Sequence, residues 1–200
     1  MPIVYYKHMH PRAKELLRKA ITLVLFIFIY YAVTNNRMVK PLTTPIAGKW
    51  SIEKAQSSLA FGLASHNYLI LRNAEGNVER ELHGTPIEKD GSFKRIALTS
   101  GDTLHVLEFA YPLYGERSYR PSAVTVFSGN KEEVHTKWNE GLVCLKNINT
   151  KEIPYPPFGI NIESDTLNSN SVATTLLSCM SLPSPQVGLL TPGSQNLISK

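Results

Sequence analysis

The sequence predicts an α+β domain carried behind a single N-terminal transmembrane helix. Three patterns lead to that class: one uninterrupted apolar run near the N-terminus, strand-like segments with turn residues between about residues 67 and 127, and helical spacing after that. Strands grouped first and helices last point to an antiparallel sheet with two C-terminal helices rather than an alternating α/β architecture.

The apolar run is AITLVLFIFIYYAV, Ala20 to Val33. As a helix rising about 1.5 Å per residue it covers roughly 21 Å of a ~30 Å hydrocarbon layer. Adding Leu16 and Leu17, with Arg18 and Lys19 snorkelling outward, lengthens it toward a full span over residues 16–33. The preceding segment, residues 1–15, carries Lys7, Arg12 and Lys14, and Arg18 and Lys19 follow it. On the positive-inside rule this basic segment stays cytoplasmic and the rest of the chain is exported, periplasmic or otherwise extracytoplasmic. A cleaved secretory signal and a buried core helix are the competing readings. The long basic lead and the poor cleavage site in YYAVTNN favour an uncleaved signal anchor.

The charge divides along the same line. Residues 1–41 hold seven Lys/Arg and one acid, whereas residues 42–200 hold fourteen Lys/Arg and fifteen Asp/Glu. The basic excess therefore sits where it would meet anionic head groups, which makes the membrane the first expected partner. The remainder has no basic cluster suited to phosphate, which argues against nucleic acid.

Residues 34–48, with two prolines and a closing glycine, read as a linker, and residues 49–200 as one exported α+β domain. Ser51 to Leu63 is expected as a short helix. Asn67–Arg72 and Val78–Leu82, joined by the turn NAEGN, predict a hairpin. Further strands fit Arg95–Leu98, Thr103–Phe109 and Ala123–Phe127. Val134, Trp138, Leu142 and Leu145 recur at helical spacing, so Glu132 to about Asn147 should be amphipathic helix. The prolines of IPYPPFGIN forbid helix there. A second helix should start near Ser169 and end before Pro183, with Val172, Ala173, Leu176, Leu177 and Met180 on one face. Cys144 and Cys179 are either one bridge or two buried thiols; they form no metal pattern. The chain has no N-glycosylation sequon, which fits a cell-envelope protein.

Three places carry candidate chemistry. His66, just before the NYLIL strand, is placed to act as a general base, or is simply a surface histidine at a strand start. His83, after the second hairpin strand, lies near the same open end and could orient His66; two histidines alone make a weak metal signal. Asn168-Ser169-Asn170-Ser171 opens the last helix, where free amides and the dipole favour an oxyanion, but Asn and Ser are also the ordinary N-cap residues.

A histidine heading a hairpin strand, a second histidine after the next strand and a polar residue opening a later helix resemble the circularly permuted papain-like fold of the NlpC/P60 and lecithin:retinol acyltransferase group. The resemblance covers roughly residues 60–180. It implies His66 as the base, His83 as the second polar residue, and Ser169 in NSNSV at the position of the nucleophilic cysteine, here a serine. The expectation is a membrane-anchored envelope hydrolase or acyltransferase acting on an amide or ester, such as a peptide or lipid, without cofactor or metal. The alternative is a catalytically silent envelope binding or assembly module, favoured by the lack of an evident acidic third member.

Overall fold

The computed structural model describes residues 11–37, 46–59, 64–94, 97, 100–110, 113, 122–161, 165–187 and 191–199. Helix α1 spans Pro11–Arg37 and is followed by strands β1 (Trp50–Leu59), β2 (Ala64–Arg72), β3 (Val78–Ile87), β4 (Thr103–Phe109) and β5 (Ser122–Gly129). Helix α2 (Lys131–Asn149), a 3-10 turn (Pro157–Gly159) and helix α3 (Ser169–Cys179) complete the order. The strands form one antiparallel sheet in the order β4-β3-β2-β1-β5. The α+β domain with two C-terminal helices is therefore present. Of the strand expected at Arg95–Leu98 only Ala97 is described, and most of the linker falls outside the described residues.

The membrane-spanning element is corrected. Among the described residues no helix is long and apolar enough to cross a membrane. Helix α1 does form, but its first turns carry Lys14, Glu15, Arg18 and Lys19, with Lys19 paired to Glu15 at 2.9 Å. Four charged residues among the six from Lys14 to Lys19 leave too short an apolar stretch in residues 13–26 to replace the solvation that a bilayer removes. The single-pass anchor, and the exported location inferred from it, lose their support. A buried core helix is overturned as well, because Leu23 and Phe26 are 61% and 69% exposed.

The helix expected at Ser51–Leu63 is also corrected: that stretch is β1, a central strand hydrogen-bonded to β2 and β5. Its residues are buried on both faces, including Ser51, Glu53, Lys54, Gln56 and Ser57, so polar residues obscure the alternation that would mark a strand. Glu53 is held by Arg72 at 2.8 Å.

One face of the sheet packs on α2 and α3 around Ile52, Leu69, Leu71, Leu82, Leu104, Val106, Trp138, Val172 and Leu176. The opposite face buries a smaller group, Ala55, Tyr68, Ile70 and Ala123. Asn130 caps α2 in a reciprocal capping box with Glu133. Asn149, at the other end of α2, bonds both backbone groups of Val106 on the edge strand β4, at 2.7 and 2.9 Å. That pairing satisfies part of an edge that would otherwise be open. Cys144 and Cys179 form a disulfide joining α2 to α3, which resolves the choice left open by the sequence.

Candidate functional site

Strands β2 and β3 pair from Leu69↔Leu82 to Arg72↔Val78 and then part. Beyond Leu69, β2 stays with β1 as far as Ala64, while β3 turns to β4 as far as Ile87. The N-terminus of α3 fills the fork. Asn170 replaces the missing ladder: its Oδ1 accepts from Asn67 N at 2.8 Å, and its Nδ2 donates to the Ser65 carbonyl at 3.0 Å. These two backbone groups bracket His66. On the β3 side, a Cβ added to Gly84 would lie 2.7 Å from Val172 Cβ and 2.9 Å from Ser169 Cα, so only glycine lets the helix seat this closely.

His66 lies two residues before Tyr68 on the face of the sheet away from the helix-packed core. His83 is on the same face, because it directly follows Leu82 of the helix-packed core and stands two residues after Glu81. The structure brings the two histidines together, with His66 Nε2 and His83 Nδ1 2.9 Å apart and their rings nearly coplanar at 11°. His83 Nε2 lies 2.9 Å from Glu81 Oε2, which also accepts from the backbone N–H of Leu113 at 2.8 Å. Tyr68 stacks beside His83 at 4.4 Å, and Phe109 meets it edge-on at 5.5 Å.

The hydrogen-bond chain fixes the tautomers. A carboxylate only accepts, so His83 must carry its proton on Nε2 and present Nδ1 as an acceptor. His66 then donates from Nε2 to that acceptor. Both rings are held neutral. Burial pushes His66 well below the ordinary imidazole value, and the neighbouring His83 pushes the same way. Burial also lowers His83, against the opposing hydrogen bond and charge of Glu81. With His66 Nε2 and His83 Nδ1 spent on each other, the pair has no geometry for chelating a metal.

Ser169 is the first residue of α3. Asn168 is the N-cap, its side chain accepting from Asn170 N at 2.8 Å and Ser171 N at 3.3 Å. Ser171 returns the bond to Asn168 N and also holds the carbonyls of Thr166 and Gly193. The polar residues of NSNS thus divide the work, Asn168 and Ser171 capping the helix while Asn170 docks it on β2. Ser169 takes no part in capping. Its hydroxyl and its backbone amide both bond Tyr155, whose phenol burial pushes upward against those bonds. The amides expected to hold an oxyanion are therefore mostly committed to the cap. The remaining donors are the Ser169 amide and the Tyr155 hydroxyl that now covers it.

Sequence reasoning does not single out Glu81, Asn170 or Tyr155. Period-two spacing in the strand ELH does place Glu81 and His83 on one face, which is a usable signal. Tyr155 lies in a proline-rich segment with no local pattern to mark it. It also lines a cleft of about 410 Å³ with Ile153, Ile160 and Leu167. No protein family, no curated protein and no solved structure matches the chain.

Proposed function

We propose that this domain is an acyl-transferring or hydrolytic enzyme acting on an ester or amide, with Ser169 as nucleophile and His66 as base. What supports the reading is the buried chain Glu81–His83–His66, together with the two bonds by which Asn170, next to Ser169, ties the start of α3 to the backbone on either side of His66. Glu81 orients His83 and stabilises positive charge passed to it, and His83 in turn holds the ring and tautomer of His66. This supplies the acidic member whose apparent absence favoured a silent module.

In the reaction, the His66 ring takes the Ser169 proton as Oγ leaves its bond to Tyr155 and attacks the acyl carbon. The Ser169 amide and the Tyr155 hydroxyl stabilise the oxyanion once Tyr155 yields its resting bond. The imidazolium then protonates the leaving alkoxide or amine, and water or a second acceptor releases the acyl group. A serine needs a better base than a thiol does, which a relay ending in a carboxylate provides.

Labelling with a fluorophosphonate, followed by peptide mapping, tests the reading. Ser169 is expected to be modified near neutral pH. His66→Ala should slow that modification by about 100-fold or more, in line with loss of a general base. Glu81→Gln should slow it less. An unmodified Ser169 peptide, or equal rates in wild type and His66→Ala, would return the domain to a binding role.

A further inference from the structure

Lys54 stands apart from this chemistry. It sits on central strand β1, in register with Leu69 of β2 and Val124 of β5, and is 1% exposed. A lysine so buried ordinarily meets a carboxylate. Lys54 Nζ instead donates to Ser184 Oγ at 2.9 Å. Ser184 lies in the segment after α3 and is exposed to solvent, so the pair joins a buried amine to an accessible hydroxyl. Ser184 Oγ also bonds Thr174 Oγ1 at 3.2 Å, and Thr174 Oγ1 donates to the Ser194 carbonyl at 2.8 Å. Ser184 is thereby held from two sides with its oxygen fixed over the amine.

Among the described residues, the charged groups of the elements around Lys54 are engaged elsewhere or absent. On β1, Glu53 points to the other face and pairs with Arg72 of β2. His66 of β2 is bonded to His83. Strand β5, helix α3 and residues 180–187 contain no Asp, Glu, Lys, Arg or His. On α2, Lys131 covers the Trp50 ring, His135 packs on the same ring, Glu133 caps at Asn130, and Lys137 pairs with Glu140. Glu132 is exposed. Burial therefore acts unopposed and lowers Lys54 from 10.5 to about 8. At neutral pH that raises the neutral amine from well under ~0.1% to roughly 10% of molecules.

We infer that Lys54 and Ser184 form a second reactive site, a serine–lysine pair that accepts acyl groups from activated esters at the surface. Ser184 Oγ attacks the acyl carbon while its proton passes to neutral Lys54 Nζ. The C–O bond to the leaving group breaks, and the ammonium returns the proton to the departing oxygen, giving acyl-Ser184 and an alcohol. Water, deprotonated by the same amine, then frees the acid and restores the pair. The inference does not rest on Ser169: the nucleophile, the base and the part of the fold that holds them are all different.

A fluorophosphonate, whose phosphorus accepts the same attack with loss of fluoride, tests it on the full chain with peptide mapping. The Ser184 peptide is expected to be modified at a rate that rises with pH through a midpoint near 8. Ser184→Ala should remove that label and leave labelling of the Ser169 peptide as it was. Lys54→Arg, which keeps a buried cation and a donor but cannot accept a proton near neutrality, should cut Ser184 labelling by about 100-fold and abolish the midpoint. Circular dichroism establishes whether that variant is folded; should it not fold, the wild-type pH profile at Ser184 decides. Failure of Ser184 to react between about pH 6 and 10, a profile without the midpoint, or undiminished labelling in folded Lys54→Arg would overturn the inference. Each outcome is read on its own peptide, so it is separate from success or failure at Ser169.

Discussion

Gly84→Val is expected to cost about 3 kcal/mol of unfolding free energy and to suppress the reaction at Ser169. The added Cβ would stand 2.7 Å from Val172 Cβ and 2.9 Å from Ser169 Cα. Neither atom is the flexible end of a side chain. Val172 is a fully buried helix residue, and Ser169 Cα is backbone fixed on one side by the Asn168 cap and on the other by the Asn170 clamp. Gly84 does not have a positive φ, so the penalty is one of space and not of backbone conformation. To relieve it, α3 must lift off the sheet, which breaks the Asn170 bonds to β2 and moves Ser169 away from the fork. Urea denaturation measures the first effect and fluorophosphonate labelling the second. A midpoint close to that of the wild type would show that the helix does not seat on β3 in this way.

Acid is expected to unfold the domain earlier than its carboxylates alone would dictate. His66 and His83 are both depressed below the imidazole value of 6.5 by burial, so the unfolded chain binds protons that the native state refuses. Stability therefore rises with pH wherever the unfolded state is the more protonated. It is complete above about pH 6.5 and is lost as pH falls from there toward the depressed native values. Each ring contributes a slope of about 1.4 kcal/mol per pH unit in that window, and the two together up to about 2.7. Glu81 eases the protonation of His83, so the lower part of that range applies once one proton is shared along the chain. A double variant, His66→Gln with His83→Gln, should flatten the profile on the acid side of the ordinary imidazole value of 6.5 even where it lowers the plateau. An unchanged slope in that variant would place the acid sensitivity elsewhere.

Elements with a clean period are legible in the sequence, and those where tertiary burial overrides the pattern are not. Strand β4 alternates between core and rim along Thr103–Phe109, and α2 shows Val134 and Trp138 on its buried stripe, so both can be read locally. Strand β1 cannot, because Glu53, Lys54, Gln56 and two serines find partners or burial that only the finished sheet supplies. Its Glu, Lys, Ala and Gln are good helix formers, and that local preference loses to pairing on both sides. The apolar run in α1 suggests a span, but Lys14, Glu15, Arg18 and Lys19 crowd the turns before it and are too many to count as snorkelling ends. At the candidate site, the hairpin puts His66 and His83 near one open end, and their rings meet just beyond the last ladder pair, Leu69↔Leu82. The acidic member is missing from the sequence reading, although Glu81, two residues before His83 on the same strand, leaves a local trace of it. Tyr155 and the docking role of Asn170 depend on contacts between segments 14 and over 100 residues apart, beyond any local signal.

The proposed chemistry requires His66 to act on the side chain at position 169, and S169C tests that most directly. Cys144 and Cys179 are bridged to each other, so the introduced thiol is the one alkylation target that the chain offers without reduction. On the proposed chemistry the positive end of α3 and the basic ring of His66 both favour the thiolate, lowering the thiol from its ordinary value of about 8.5. Iodoacetamide should then react near neutral pH at least ~10-fold faster than with a thiol of ordinary pKa, and adding His66→Ala should remove most of that advantage. Equal alkylation rates with and without His66 would contradict the proposed chemistry and leave position 169 as an ordinary first residue of a capped helix.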